Sequence, residues 1–198
     1  MTSQEARLGQ YSHPSWPRLV WLLGSLFSLG TSAMALQVLN VHVLPASGLF
    51  HVQAYMVLQG GALICFAHLL WRGLGLRILP VLSLVLGGLM LAMFLFPVNN
   101  ATSPYLMNLF FGGRAPFGIL LLLYVHRIPV LFRVYGVAPL LTAPLYFLFS
   151  LNLYPVEATR NAFGGLEVVS AVLMALLFAW SIRQLRHRCE STAENATD

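Results

Sequence analysis

Lysine is absent from this 198-residue chain, and aspartate and glutamate together contribute only six residues. Charged residues make up 9% of the sequence, against roughly 25% in an ordinary soluble domain. Without lysine, a Schiff-base cofactor such as retinal or pyridoxal phosphate is excluded. The two cysteines, Cys65 and Cys189, form no CxxC motif. Neither a disulfide framework nor a zinc site is therefore predicted.

Standard catalytic signatures are also missing. The chain has no Gly-x-Ser-x-Gly, no His-Glu-x-x-His, no phosphate-binding loop and no paired acidic motif. The formal net charge of +5 does not indicate a nucleic-acid-binding protein, because the arginines stand at the ends of apolar segments and form no basic stripe. We therefore predict no cofactor, no metal and no nucleic-acid partner.

Long apolar segments dominate what is present. Hydrophobic residues make up 58% of the chain, and the mean hydropathy is +0.76. Six stretches approach the roughly 20 residues that cross a bilayer. They cover about 19–38, 49–71, 78–96, 105–125, 134–151 and 162–182. We predict an all-α integral membrane protein, a six-transmembrane-helix bundle over residues 17–184, with polar tails at 1–16 and 185–198 and membrane lipids as its surroundings.

The first stretch has a competing interpretation as a secretory signal. Arg18, a short apolar core and Ala33-Met-Ala35 resemble the parts of a cleaved signal peptide. The region before it is long for a signal, however, and apolar residues continue through Val41 and Val43. We interpret the stretch as a transmembrane helix that is retained.

The arginines predict the orientation. One arginine, Arg160, falls on one side of the membrane, and Arg114 falls within it. The other nine fall on the opposite side, which the positive-inside rule makes cytoplasmic. These nine are Arg7, Arg18, Arg72, Arg77, Arg127, Arg133, Arg183, Arg186 and Arg188. We predict a plasma (inner) membrane protein with both termini in the cytoplasm.

Glycine pairs suggest an internal repeat. The pairs begin at Gly60, Gly112 and Gly164, which are spaced by 52 residues each time, and each falls in an even-numbered helix. Small residues allow close contact between helices in lipid. One interpretation is three related helical hairpins whose even-numbered helices pack at these glycines. The other is coincidence in a chain with 16 glycines, one of which opens a further pair at Gly87.

One arginine and one carboxylate, Arg114 and Glu167, lie inside predicted spans. An arginine at mid-bilayer costs at least ~2.5–3.5 kcal/mol, so it normally faces the bundle interior and has a partner. Measured from the glycine pairs, Glu167 lies one residue deeper than Arg114, about 1.5 Å along a helix. We predict that they pair across the fourth and sixth helices, in the external half of the membrane. The pair can serve a polar site, or it can be a buried ion pair that fixes helix register.

Further candidate residues surround this pair. Asn108 and Asn161 each precede the charged residue of their helix by six positions, and His51 lies near the same predicted external rim. We predict Arg114, Glu167, Asn108, Asn161 and His51 as the substrate-binding residues. His68 and His126 could in principle ligate a haem, but interfacial histidines next to arginines explain them more simply.

Three functions remain open. The first is a small-solute transporter or channel with the Arg114–Glu167 pair as its polar site. The second is a lipid- or peptide-acting intramembrane enzyme that uses the same pair with His51 and Asn108. The third is an accessory subunit that keeps the pair for register. Because 198 residues is short for a monomeric transporter, a homo-oligomer or a larger membrane complex is compatible with each.

Overall fold

The structure is a computed structural model that describes residues 15–39, 48–95, 102–124, 129–151 and 156–194. This part of the chain is all-helical. A 3-10 turn, Leu36–Leu39, follows the first helix, and a π-helical segment, Leu69–Gly73, extends the second. The helices are α1 (Ser15–Ala35), α2 (Gly48–His68), α3 (Ile78–Leu95), α4 (Thr102–Leu123), α5 (Val130–Ser150) and α6 (Val156–Glu194). All six are long and apolar enough to cross a membrane, which confirms the predicted six-helix membrane class.

The last helix differs most from its predicted boundaries, and the fifth also begins early. α6 begins at Val156, six residues before the predicted start, and continues as one helix to Glu194. Glu157 lies in its first turn, where a negative charge complements the helix dipole. Neither glycine nor proline interrupts the polar stretch after Arg183. α5 begins at Val130, so that Arg133 lies inside the helix and not before it.

The six helices form a closed ring. Each helix packs against its neighbours in the sequence, and α1 also packs against α6. The short connections make consecutive helices antiparallel, so α2, α4 and α6 run in the same direction. We call the end of the bundle where α2, α4 and α6 begin the upper end. Whether the upper end is external remains a prediction.

Glycines bring two pairs of helices into backbone contact. A Cβ atom at Gly87 of α3 would lie 2.9 Å from the carbonyl oxygen of Gly60 in α2. In the same way, a Cβ atom at Gly118 of α4 would lie 2.5 Å from the carbonyl oxygen of Gly136 in α5. Only hydrogen fits at such positions, so these glycines allow the two hairpins to close.

The glycine pairs spaced by 52 residues are packed to different degrees. Gly60 contacts α3, but a Cβ atom at Gly112 would meet only the ring of Phe147, at 3.8 Å, and one at Gly165 would meet nothing within 4 Å. The second glycine of the Gly112 pair, Gly113, is close-packed, because a Cβ atom there would lie 2.9 Å from Leu86 Cδ2 of α3. Close contact is thus present at the first two pairs and is not made by Gly165. The relationship between three hairpins stays a prediction.

An aromatic cluster fills the lower half of the ring. The Phe66 ring of α2 stacks on Phe132 of α5 at 5.9 Å and meets the edges of Phe117 of α4 and Phe178 of α6 at 6.2 and 6.1 Å. Tyr135 of α5 packs against the same ring at 5.3 Å. All five side chains are buried. We call these residues the aromatic layer; it closes the bundle interior below the site described next.

Candidate functional site

Arg114 and Glu167 form the predicted ion pair. Arg114 Nη1 donates a hydrogen bond to Glu167 Oε1 at 2.5 Å, which joins α4 to α6. The two side chains are only 3% and 2% exposed. An arginine and a glutamate in such an apolar bundle each need a partner of opposite charge, and each has found one. The predicted pairing across the fourth and sixth helices is confirmed.

A third helix completes the arrangement through Tyr55 of α2. The Tyr55 hydroxyl donates a hydrogen bond to Glu167 Oε2 at 2.6 Å. Both carboxylate oxygens of Glu167 are therefore engaged, one by a guanidinium and one by a phenol. We call Tyr55, Arg114 and Glu167 the polar triad; the three parallel helices α2, α4 and α6 contribute one residue each.

The guanidinium of Arg114 is only partly satisfied by the triad. Its Nη2 atom is buried and has no hydrogen-bond partner among the described residues. Its Cζ atom lies 5.5 Å from the ring centre of Phe110 and 5.7 Å from that of Phe111. Aromatic faces stabilise a cation at such distances, more strongly when water is excluded. The rings thus replace some of the hydrogen bonds that the arginine lacks.

A cavity of about 520 Å³ lies beside the triad towards the upper end of the bundle. All six helices contribute to its wall, which is almost entirely apolar. Five of the chain's seven methionines line it. Thioether side chains are flexible and polarizable, and they adapt to ligands of different shapes. The lining residues are Met34, Ala35, His51, Val52, Tyr55, Met56, Met90, Met93, Met107, Phe111, Tyr146, Ser150, Phe163 and Glu167.

Three rings form an aromatic corner of this cavity. Phe111 stacks on Tyr146 with a centroid distance of 4.0 Å, and the edge of Phe163 meets Phe111 at 5.3 Å. These rings come from α4, α5 and α6, and Glu167 lies one turn below Phe163 on the same helix. Phe111 contacts both the cavity and the guanidinium of Arg114, so it separates the two.

The other predicted residues lie in different surroundings. His51 lines the cavity together with Glu167. Asn108 accepts a hydrogen bond from the Tyr146 hydroxyl at 3.2 Å, so it orients a lining residue from outside the wall. Asn161 lies on the exposed surface of α6. Their predicted role as substrate-binding residues stays a prediction.

The haem hypothesis falls partly outside the described residues, because His126 is not among them. His68 ends α2, where it is half-buried. Within the residues that the structure describes, no cluster of three or more histidine, cysteine, aspartate or glutamate side chains is placed to hold a metal ion.

Reasoning from the sequence missed Tyr55 and the methionine wall. Tyr55 lies five residues before Gly60, whereas Glu167 lies three residues after Gly164. Glycine pairs at equal depth would separate the two by about 12 Å along the bundle, at 1.5 Å per residue. Their hydrogen bond shows that the pairs of α2 and α6 do not lie at one depth. The sequence does contain a signal for the matching depth of Tyr55 and Glu167. Eleven residues, about three helical turns, separate Tyr55 from Phe66 and also separate Glu167 from Phe178.

No protein-family model, curated protein or solved structure matches this chain. The function of the protein must therefore be inferred from its own residues and their geometry.

Proposed function

We propose that this multi-pass membrane protein binds a small, largely apolar molecule in the upper cavity, as the recognition step of a small-solute transporter. The observation that carries the proposal is the presence of a charged carboxylate, Glu167, in the wall of an otherwise apolar cavity. Cavities of roughly 300–1,000 Å³ with apolar walls and a few fixed polar groups are typical ligand sites. The volume of about 520 Å³ lies within that range.

The polar triad is suited to orient such a ligand. Its groups hold one another by short hydrogen bonds, so the carboxylate has a fixed position before any ligand arrives. A preorganised polar group lowers the entropic cost of binding. In this proposal Glu167 and His51 contact the ligand, whereas Arg114 positions Glu167 from behind.

The aromatic layer favours a transporter over an open channel. Its side chains are buried and packed on one another below the triad, so a molecule in the cavity meets a closed bundle. Passage therefore requires the helices to rearrange.

Irregular helix segments border this closed region. A π-helical segment, Leu69–Gly73, begins three residues after Phe66, and such segments often mark functional sites. Pro116 lies inside α4 two residues after Arg114, and Pro139 and Pro144 lie inside α5. A proline removes one helical hydrogen bond, which weakens the helix at that place.

A ligand screen with a matched pair of variants tests this proposal. Ser150 lines the cavity at an exposed position, and the next residue, Leu151, is exposed outside the wall. A compound at 100 times its dissociation constant stabilises the folded state by about 2.7 kcal/mol. Compounds that raise the melting temperature of the wild type should lose this effect in Ser150→Trp and keep it in Leu151→Trp. The same compounds should be taken up by proteoliposomes that contain the wild type.

Equal stabilisation of wild type and Ser150→Trp by every active compound would show that the cavity is not the binding site. Binding that is blocked by Ser150→Trp, without uptake by proteoliposomes, would keep the site and remove the transport step.

The near-complete burial of the ion pair also favours a second candidate, the accessory subunit. Fixing the register of two helices can be the sole role of a buried pair that joins them. That role predicts that no compound depends on Ser150, and that the protein is purified together with partner subunits.

A further inference from the structure

Each hydroxyl group in the cavity wall already donates its proton in a hydrogen bond within the protein. Tyr55 donates to Glu167 Oε2, Tyr146 donates to Asn108 Oδ1, and Ser150 donates to the carbonyl oxygen of Phe147 at 3.1 Å. Each hydroxyl oxygen keeps lone pairs, and an ionised carboxylate only accepts hydrogen bonds. Four of the five polar side chains of the wall thus offer acceptors to a ligand; the fifth is His51.

The carboxylate in the cavity wall is negatively charged. Glu167 belongs to the wall, whereas Arg114 does not line it and contacts Glu167 and the ring of Phe111. The pair as a whole is neutral, but a group in the cavity lies closer to its negative end. At low dielectric constant this difference in distance produces a substantial potential. A cation is therefore attracted, and an anion is repelled.

The aromatic rings of the wall add a second preference of the same sign, except for Phe111, whose ring already contacts Tyr146 and Arg114. Phe111, Tyr146 and Phe163 form the aromatic corner, and Tyr55 is a fourth ring in the wall. The face of an aromatic ring carries negative charge density and binds ammonium groups. The methionines supply an apolar surface for the remaining part of the ligand.

From these three observations we infer that the cavity recognises a lipophilic organic ammonium ion. Its N–H groups donate to Glu167 and to the hydroxyl oxygens, and its apolar part lies against the methionines. This inference rests on the proposed function, because it names the chemical class of the ligand for the same cavity. The sequence alone predicted only a polar site. This inference specifies that the ligand of the site is cationic and mostly apolar.

Three probes of nearly equal size separate the charge classes. They are 4-phenylbutylamine, which is protonated at neutral pH, 4-phenylbutan-1-ol and 4-phenylbutanoate. Each probe is tritiated, and its equilibrium binding is measured on protein in nanodiscs of zwitterionic phosphatidylcholine. Binding to Ser150→Trp in identical nanodiscs is subtracted, which removes partition into lipid. The amine should bind at least about tenfold more tightly than the alcohol, and the carboxylate should bind most weakly.

Two further changes test the origin of this preference. In Ser150→Lys a positive charge is placed at the exposed rim, and amine affinity should fall at least about tenfold while alcohol affinity changes by less than about threefold. Leu151→Lys, with the same charge one residue away from the wall, should change amine affinity by about twofold at most. The double variant Arg114→Gln with Glu167→Gln should bring amine and alcohol to within about threefold of each other. If that double variant does not fold, the Ser150 and Leu151 pair still decides the question.

The outcomes distinguish the ammonium assignment from the proposed function as a small-solute transporter. Alcohol or carboxylate binding that equals or exceeds amine binding, and that Ser150→Trp abolishes, would overturn the ammonium assignment and leave the cavity as a ligand site. Equal effects of Ser150→Lys and Leu151→Lys on the amine would also overturn it. If none of the three probes shows binding that depends on Ser150, the inference fails, and the compound screen then decides the proposed function independently.

Discussion

Replacing the buried ion pair by apolar residues provides the most direct test of its role. Methionine is close to glutamate in length and replaces the aliphatic stem of arginine, so Arg114→Met and Glu167→Met remove charge and keep an unbranched apolar side chain. Removing one partner of a buried pair leaves the other charge unpaired and costs about 3–5 kcal/mol. We expect both single variants to be destabilised within or near that range.

The two single variants should not be equal. When Arg114 is replaced, the Glu167 carboxyl still accepts the hydrogen bond from Tyr55. When Glu167 is replaced, Arg114 cannot lose its charge, and the Tyr55 hydroxyl also loses its acceptor. A buried hydroxyl without a partner costs about 1–3 kcal/mol more. Glu167→Met should therefore be the less stable variant.

The double variant removes both charges and leaves only the Tyr55 hydroxyl unsatisfied. Its loss of stability should be smaller than that of Glu167→Met, and at least about 3 kcal/mol smaller than the sum of the single losses. The measurement is the free energy of unfolding in mixed micelles titrated with sodium dodecyl sulfate, followed by circular dichroism. Simple additivity in the double variant would refute the coupling that the geometry implies.

The same chain contains a matched control pair. Arg160 Nη2 and Glu157 Oε1 lie 3.9 Å apart within α6, and their side chains are 35% and 82% exposed. Exposed pairs contribute between roughly 0 and 1 kcal/mol. Arg160→Met, Glu157→Met and their combination should therefore change stability little and additively. Large effects there would indicate that the assay responds to charge in general and not to the buried pair.

Three further predictions concern packing, the triad and orientation. Gly118→Ala should destabilise the protein by about 2 kcal/mol or more in the same assay, because the new methyl group meets the Gly136 carbonyl oxygen. Gly88→Ala, where a Cβ atom meets nothing within 4 Å, should be neutral or slightly stabilising. Equal effects of the two substitutions would contradict the close contact of α4 and α5. Tyr55→Phe should lower the free energy of unfolding by about 1.5–3 kcal/mol, because it removes a hydrogen bond to a carboxylate; an unchanged value would show that this bond does not contribute. A membrane-impermeant maleimide should label Cys189 only after the cells are permeabilised, if the tail is cytoplasmic; labelling of intact cells would reverse the predicted orientation.

Much of the fold could be predicted because its physical causes are local in the sequence. Apolar segments of bilayer length and the lack of charge indicate six membrane-spanning helices. The Arg114–Glu167 pair was also predictable, since a membrane interior requires partners for its charges and the spans contain one carboxylate for one embedded arginine. Helix boundaries were less accurate at α6, where an amphiphilic first turn with Glu157 does not differ from a polar loop by hydropathy alone.

The candidate site depended on helix rotation and relative depth, which hydropathy does not encode. A lipid-embedded helix is mostly apolar both on its lipid-facing side and on its interior side. A methionine in a cavity wall therefore cannot be told from one that faces lipid by hydropathy. Tyr55 could equally have faced the membrane interface, where tyrosine is common. Asn108 acts on the cavity through Tyr146 of the next helix, a contact between residues 38 positions apart.

The sequence by itself determined the class of the protein, its six helices and the obligation of Arg114 to find Glu167, because these follow from the cost of exposing charge and backbone groups to hydrocarbon. The tertiary structure alone decided that the ring closes between α1 and α6, and that Tyr55 becomes the third member of the triad. It also decided which side chains line the cavity. Those features depend on how side chains pack between helices, and packing is a property of the assembled bundle and not of any single segment.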